Sequence, residues 1–388
     1  MKLTDVLTRC IHKADAVIEI IKEDNFDNPQ QKELKKRFTI TQAAKMVGVS
    51  REAIRQAEKA GRINPPRETI NNRKVYKLEE INILRDTFGT RPNRKSTDDP
   101  FVLLFMNFKG GVRKTTVSIH QAQYLALKGY KVLLIDADSQ ASATTMFGIT
   151  PDMDIDESET MHDFLCGEKD SLEDCIRKTY WDGIDLIPAN LTLFDVEYVI
   201  TKQAFSDEGT TFYKRLRKGI DGIKHNYDFI IIDAPPSLGI ISMNLIYAAD
   251  GIVVPLPPVI QDFCSTRMFF DLTQSIILKM QEREFKFVKL LISKYDNSQG
   301  TEDFIRCIKE VFSSDLMLNN YLRDTRAIPQ AAMQLQTIYE QTDIKNKETY
   351  KRALNIINPI CHEIENLITS TWSSKKESIQ RAEEAMIW

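Results

Sequence analysis

Lys109-Gly110-Gly111-Val112-Arg113-Lys114-Thr115-Thr116 is the stretch whose reading decides this chain. It follows the apolar run Phe101-Val102-Leu103-Leu104-Phe105-Met106 and precedes Val117 to Lys128, which reads as a helix. A buried-type strand, a glycine-containing loop, Lys-Thr and a helix N-terminus make the layout of a phosphate-binding loop. Glycines let the backbone come close, so several N–H groups point at one anion. The helix start adds partial positive charge. On this layout Lys114 reaches the outer phosphates and the Thr115 hydroxyl ligates Mg²⁺. Gly110, Gly111, Val112, Arg113 and Thr116 complete the cradle.

Two carboxylate-ending strands follow the loop. Tyr130-Lys131-Val132-Leu133-Leu134-Ile135 runs into Asp136-Ala137-Asp138-Ser139-Gln140. A carboxylate at the C-terminal end of a parallel strand faces the ligand crevice. In isolation Asp136 and Asp138 would read as ordinary strand-end caps. Tyr227-Asp228-Phe229-Ile230-Ile231-Ile232-Asp233-Ala234-Pro235-Pro236 ends its apolar run in Asp233, placed to hold Mg²⁺ through a bound water. Further strands are expected at Ile252-Val253-Val254-Pro255-Leu256 and at Lys289 to Asp296. These elements predict an α/β fold: a doubly wound, mostly parallel sheet around a phosphate loop.

Upstream, Phe38 to Gly61 has the pattern of a helix-turn-helix. Thr41 is expected to cap a first helix carrying Ala44, Met46 and Val47. Gly48 allows the tight turn, and Val49 plugs the angle between helices. Ser50 caps the second helix, whose inner face is Ala53, Ile54 and Ala57. Arg51, Glu52, Arg55, Gln56 and Lys59 face outward, as a helix in a major groove requires, and Ser50, Arg51, Arg55, Gln56 and Lys59 are the candidates for DNA contact. Asn71-Asn72-Arg73-Lys74 is expected to turn between short strands before another helix. This resembles the winged helix-turn-helix of MerR-like domains, whose wing lies along the phosphate backbone. A small helical bundle with a solvated basic face fits the same pattern.

Residues 31 to 95 hold 17 Lys+Arg against 7 Asp+Glu, a surplus of 10. The whole chain has net charge −3, so the rest of it is acidic. A basic block on an acidic chain marks a nucleic-acid-binding unit attached to something else. The 388 residues are long enough for two or three domains, with expected boundaries 1–30, 31–95 and 96–388. The first is a single helix, in which Leu3, Val6, Leu7, Cys10, Ile11, Ala14, Val17, Ile18 and Ile21 form one stripe. That stripe needs a partner: its own domain, or a second copy as a dimerisation arm. Asp24 to Gln31 reads as a connector, and Arg91 to Pro100 as the clearest linker. The six cysteines form no C-x-x-C pair, which argues against a zinc site or disulfide framework and fits a reducing cytosol. No signal peptide and no membrane span is expected.

The loop departs from the common G-x-x-x-x-G-K-[ST]. Position 108 holds Phe108 where the first Gly belongs, and Lys109 sits beside it. K-G-G-x-x-K-T-[ST] is the deviant Walker A loop, and there the chain resembles the ParA/MinD family of ATPases. Trp181 to Ala189 with its I-P-A ending, D-x-P-P after Asp233, and V-P-x-P-P at Val254 to Pro258 extend the resemblance. The leading helix, the winged helix-turn-helix and the ATPase occur in the order of the long, type Ia plasmid-partition ParA proteins.

The resemblance implies ATP/ADP and Mg²⁺ as cofactors and a homodimer in which Lys109 reaches the facing subunit's nucleotide. It implies that Asp138 orients the attacking water, Asp136 supports the metal and phosphate side, and Ser237 to Asp250 responds to the γ-phosphate. Ser139, where the family has proline, loosens that turn. Lys294 and Tyr295 are candidates near the adenine. Arg323 and Arg326, in a segment resembling I-P-R-x-x-R-x-x-E-A with Gln330 for the Glu, are expected to bind DNA without sequence preference. A solvated surface or a nucleotide contact would also explain them. A ParB-type centromere-binding protein is the implied partner, and the helix-turn-helix the implied autorepressor. The implied setting is cytoplasmic and nucleoid-associated. Three rivals remain: a transcriptional regulator using nucleotide only as a switch, a MinD-like positioning ATPase, and a nitrogenase-type iron protein. The charged tail, Ser373 to Trp388, argues against membrane binding. The dispersed cysteines argue against the iron protein.

Overall fold

The computed structural model describes residues 3–25, 32–92, 94–204, 212–278, 280 and 284–375. Its first element, α1 (Leu3–Asn25), carries the apolar stripe, with Leu7, Ile11 and Val17 each more than half exposed. The connector beyond Asn25 lies outside the described residues up to 31.

β1 (Phe38–Thr39), α2 (Ile40–Val47), α3 (Arg51–Lys59), β2 (Glu68–Ile70), β3 (Arg73–Tyr76) and α4 (Leu78–Phe88) build the helix-turn-helix and its wing. The cap of α2 is Thr39, not Thr41. Thr39 and Gln42 form a reciprocal capping box that satisfies two helix-end donors at once, and Thr41 has no such partner three residues on. Gly48 ends α2 at φ 80°, a left-handed conformation that permits the turn. Ser50 caps α3 by accepting from the Ala53 N–H at 3.0 Å. Asn71 and Asn72 both have positive φ, the signature of a two-residue hairpin turn. Arg73 and Lys74 therefore open β3 instead of lying in the turn. The three strands pair antiparallel in the order β1-β3-β2.

The larger sheet has eight strands. They are β4 (Phe101–Phe105), β5 (Val132–Asp136), β6 (Arg177–Lys178), β7 (Ile184–Ile187), β8 (Phe229–Asp233), β9 (Gly251–Leu256), β10 (Phe287–Tyr295) and β11 (Leu322–Arg323). Their order is β11-β10-β9-β4-β8-β5-β7-β6, parallel except for the edge strand β6. β4, β5, β8 and β9 are buried at every residue, because helices cover both faces. The helices of this unit are α5 (Lys114–Lys128), α6 (Ser142–Met146), α7 (Pro151–Asp154), α8 (His162–Cys166), α9 (Val196–Ala204), α10 (Arg215–Ile223), α11 (Ile240–Ala248), α12 (Ile260–Ile277), α13 (Gln299–Val311), α14 (Ala327–Ala332) and α15 (Lys347–Thr369).

The winged unit and the sheet unit share one hydrophobic cluster, running from Ile54, Ile81 and Leu84 into Leu125, Phe229 and Ile360. The described part of Arg91 to Pro100 has no helix or strand, yet it is fastened down. Arg91 Nε donates to the Gly129 carbonyl at 2.9 Å, and the Arg94 N–H to Asp228 at 3.0 Å. Among the described residues no helix is long and apolar enough to cross a membrane. The charged tail from 376 onward lies outside them.

Candidate active site

Strand register assembles the site. β4 pairs with β8 so that Phe105 stands opposite Asp233, and β8 pairs with β5 so that Asp233 stands opposite Asp136. The loop leaving β4 therefore passes directly over two carboxylates at the C-terminal edge of the sheet.

The loop is shaped by two left-handed residues, Gly111 at φ 72° and Arg113 at φ 77°. Gly111 takes this conformation at little cost. Arg113 pays a steric penalty typical of functional loops, and its guanidinium reaches Asp324 at 3.5 Å. α5 starts at Lys114, three residues earlier than the periodicity suggests, so Thr115 and Thr116 sit in its first turn with its free N–H groups. Lys114 is buried, and its Nζ donates to the Lys109 carbonyl at 3.2 Å. Burial lowers its pKa, opposed by the charges of Asp233 and Asp138.

Phe108 replaces the first glycine of an ordinary phosphate loop. Its ring packs edge-on against Phe269 of α12 at 4.7 Å between centroids. Lys109 points the same way, toward Asp262 at 3.4 Å, and is about half exposed. The cavity of about 370 Å³ beside the loop is lined by Gly111, Lys114, Thr115, Thr116 and Asp138 among others, and not by Lys109.

The three acidic residues have different surroundings. Asp136 is fully enclosed and accepts from the Thr144 N–H and hydroxyl, both at 2.8 Å, and from the Asp138 N–H at 3.2 Å. Asp138 is half-buried at the cavity. Asp233 is fully buried, and neither of its oxygens meets hydrogen-bond geometry with a protein group among the described residues, although Thr115 lies close enough to moderate its pKa. Desolvation, then the neighbouring charge of Asp136, pushes the Asp233 carboxyl up. A buried carboxylate with no donor is costly unless a cation answers it, so the donor set of Asp233 with the Thr115 hydroxyl fits a hard divalent ion.

On the winged unit, Arg51, Arg55, Gln56 and Lys59 are exposed along one face of α3, and Arg73 and Lys74 are exposed on β3. Lys74 is tied to Glu58 of α3 at 3.2 Å, so wing and helix present one surface. Arg323 lies over the Tyr295 ring at 5.3 Å, and Arg326 is exposed at the start of α14. Tyr295 donates to Glu302 at 2.9 Å, and Lys294 takes a positive φ of 55°; neither lines the cavity.

Three features escaped sequence reasoning. A second cavity, about 650 Å³, groups Arg323 with Lys351 and Arg352 of α15. Glu197 of α9 caps α11 from outside, accepting from the Ile240 N–H at 2.8 Å and the Ile241 N–H at 3.3 Å. His120 lines the first cavity beside the loop. None has a local motif to announce it.

Residues 101–280 match the family model described as AAA domain, and residues 38–87 match MerR HTH family regulatory protein. Protein SopA of Escherichia coli (strain K12) is 37% identical over 96% of this chain and 99% of its own length. The chain belongs to the ParA family of partition ATPases. A putative replication protein A of Rhizobium rhizogenes is 32% identical, covering 86% of this chain and 87% of that one. A solved structure described as Partition Protein aligns over 94% of this chain and 99% of its own, with TM-score 0.66 and 20% identity, a likeness of fold. As a ParA-family ATPase, the chain joins a MerR-type helix-turn-helix region to a mostly parallel sheet.

Proposed function

We propose that this chain is a plasmid-partition ATPase that works as a two-fold dimer and also represses its own operon. ATP binds with its outer phosphates on Lys114 and on the N–H groups from Gly110 to Thr116. Mg²⁺, held by Thr115 and through water by Asp233, would neutralise phosphate charge when bound. Asp138 orients the attacking water, and Asp136, anchored by Thr144, keeps the Asp138 turn in place. Lys109 completes the nucleotide site of the facing subunit. The observation that carries this reading is the contrast between two lysines five positions apart: Lys114 lines its own cavity and Lys109 does not.

Turnover is slow until a ParB-type centromere-binding partner acts. Phosphoryl transfer depends mostly on positioning and charge, so a small displacement of Asp138 or Lys109 can gate it. The ATP dimer binds nucleoid DNA without sequence preference through Arg323 and Arg326, joined by Lys351 and Arg352. Hydrolysis releases it. α3 and the wing separately bind the operator, with Arg51, Arg55, Gln56 and Lys59 at base edges and Arg73 and Lys74 on the backbone. The open stripe of α1 supports pairing with a second copy.

The deciding experiment is ATP turnover with and without DNA and a candidate centromere-binding protein. Lys114→Ala should abolish nucleotide binding. Asp138→Ala should keep ATP binding and dimerisation while turnover stops; normal hydrolysis by that variant rules out its assigned role. Arg55→Ala should weaken operator binding and spare nonspecific binding by the ATP form.

A further inference from the structure

Lys32 lies just ahead of β1, yet its ammonium is buried in the sheet unit. Its Nζ meets Glu340 Oε2 at 2.7 Å and donates to the carbonyls of Met146 at 2.8 Å and Leu335 at 2.6 Å. The charge also sits 4.6 Å from the centre of the Tyr180 ring. Both ion-pair side chains are only 4% exposed. An ammonium has three protons, and here three acceptors receive them. Lys36 adds a second fastening, donating to the Gln341 carbonyl at 3.1 Å and to the Tyr350 hydroxyl at 3.2 Å.

What Lys32 holds is a wall of the candidate nucleotide cavity. Met146, Gln336 and Thr337 line that cavity together with Lys114 and Thr116. Glu340 Oε1 accepts from the Thr337 N–H at 3.2 Å and from Gln123 Nε2 at 3.0 Å, and Gln123 belongs to α5, the helix that opens at Lys114. Leu335, whose carbonyl Lys32 grips, has φ 51°, a conformation an ordinary residue avoids unless its surroundings impose it. In the other direction, Lys32 leads within seven residues to Thr39, the cap of α2, and to β1, which pairs with the wing strand β3.

We propose that Lys32 is a positioning residue of the nucleotide cavity, and that the Lys32–Glu340 pair is the link through which nucleotide binding and operator binding change one another. The inference rests on reading the cavity as the ATP site. The mechanism is direct. Nucleotide packing against Gln336 and Thr337 tightens or loosens the seat of Lys32, and the strap passes that change to the cap of α2 and the wing. Binding linkage is reciprocal, so operator DNA changes nucleotide affinity by the same factor.

The test uses the full chain, a fluorescent non-hydrolysable ATP analogue, and a DNA duplex from upstream of its own coding sequence. Lys32→Met breaks the link but leaves Glu340 buried and unpaired, which threatens the fold. The neutral pair Lys32→Met/Glu340→Gln removes both charges and keeps the contacts to Thr337 and Gln123, so it is measured alongside, each with its melting temperature. Both variants should bind the analogue about tenfold more weakly. In both, the ratio of duplex affinity with and without analogue should fall to one. Arg55→Ala should lower duplex affinity while preserving that ratio. If the neutral pair binds the analogue within twofold of the parent, or shows the parent's ratio, the link is refuted. Lys114→Ala separates the two layers: if it binds the analogue as the parent does, the cavity is misread and the role of Lys32 falls with it.

Discussion

His120 is 3% exposed, with Nδ1 2.6 Å from the Thr116 carbonyl and its ring tilted against Tyr339. Nδ1 therefore carries the proton and donates it. Burial lowers the imidazole pKa to about 4, although the Thr116 carbonyl and the charge of Glu340 pull it upward. The unfolded chain takes up a proton near pH 6.5, where the folded one refuses it. The associated stability is fully present above pH 6.5 and drains away as pH falls toward 4, by about 2 kcal/mol at pH 5. Denaturant titrations at pH 7.5 and pH 5 should show that His120→Gln loses less stability than the parent between those values. An identical loss in both would show that His120 is not the group responsible. Asp233 makes the opposite kind of prediction. Replacing its desolvated carboxyl in Asp233→Asn should stabilise the ligand-free protein by about 1–3 kcal/mol while abolishing any Mg²⁺ dependence of nucleotide binding. A melting temperature that falls, or a binding curve that still responds to Mg²⁺, contradicts that account. The aspartates themselves are visible in the sequence as strand ends; that Asp136 is saturated with donors while Asp233 has none is visible only once Thr144 has been folded over the first of them.

Among elements, α4 joins the two units through Arg85 and Asn82. Arg85 donates to the Met46 carbonyl of α2 at 3.3 Å and to the Leu127 carbonyl of α5 at 2.6 Å, and it holds Asn82, which in turn reaches Asp182 at 2.5 Å. Its side chain lies 3.0 Å from where a Cβ at position 129 would stand, and Gly129 holds φ 106°, so both space and backbone favour glycine there. Arg85→Met leaves two carbonyls without their donor and should cost about 3 kcal/mol. A denaturation curve followed by Trp181 fluorescence should then separate into two steps, the winged unit melting first; a single unshifted transition would mean α4 is not the fastening. The start of α2 shows how a local reading goes astray. Thr39 and Thr41 are equally good capping residues, and only the reciprocal bond from Gln42 selects the first. The helix of the phosphate loop is longer than its periodicity because its first turn, Lys114 to Thr116, is chosen for an anion and not for an apolar face.

For the whole molecule, charge is distributed differently from what composition suggests. The basic surplus of residues 31 to 95 reads as a DNA-facing block, but Lys32, Lys36, Arg37, Arg85, Arg91 and Arg94 spend their charge on internal carbonyls and carboxylates. Arg51, Arg55 and Lys59 on α3 and Arg73 and Lys74 on β3 keep theirs at the surface, and these are the ones proposed to meet DNA. The exposed stripe of α1 is the complementary case, apolar where a lone chain would be polar. Replacing Leu7 and Ile11 together by Glu should weaken nucleotide-free self-association by about tenfold, equivalent to about 1.4 kcal/mol, in sedimentation equilibrium, with ATP binding unchanged. An unaltered monomer–dimer balance would assign dimerisation to the nucleotide face alone.

The family, the parallel sheet, the phosphate loop, its two carboxylate strands and the helix-turn-helix were all legible in short runs of residues. The reason is physical: a glycine turn, a capping serine, a two-residue or 3.6-residue periodicity and a strand-end aspartate each act over a few positions, so the chain states them locally. The grip of Lys32 on Leu335 spans 303 residues, and nothing near either end announces it. Such contacts depend on which strand lies beside which and which helix face is turned inward. Those are properties of the packed sheet, so the anchoring of the winged unit, the orphaned Asp233 and the grouping of Arg323 with Lys351 and Arg352 were settled only by tertiary structure.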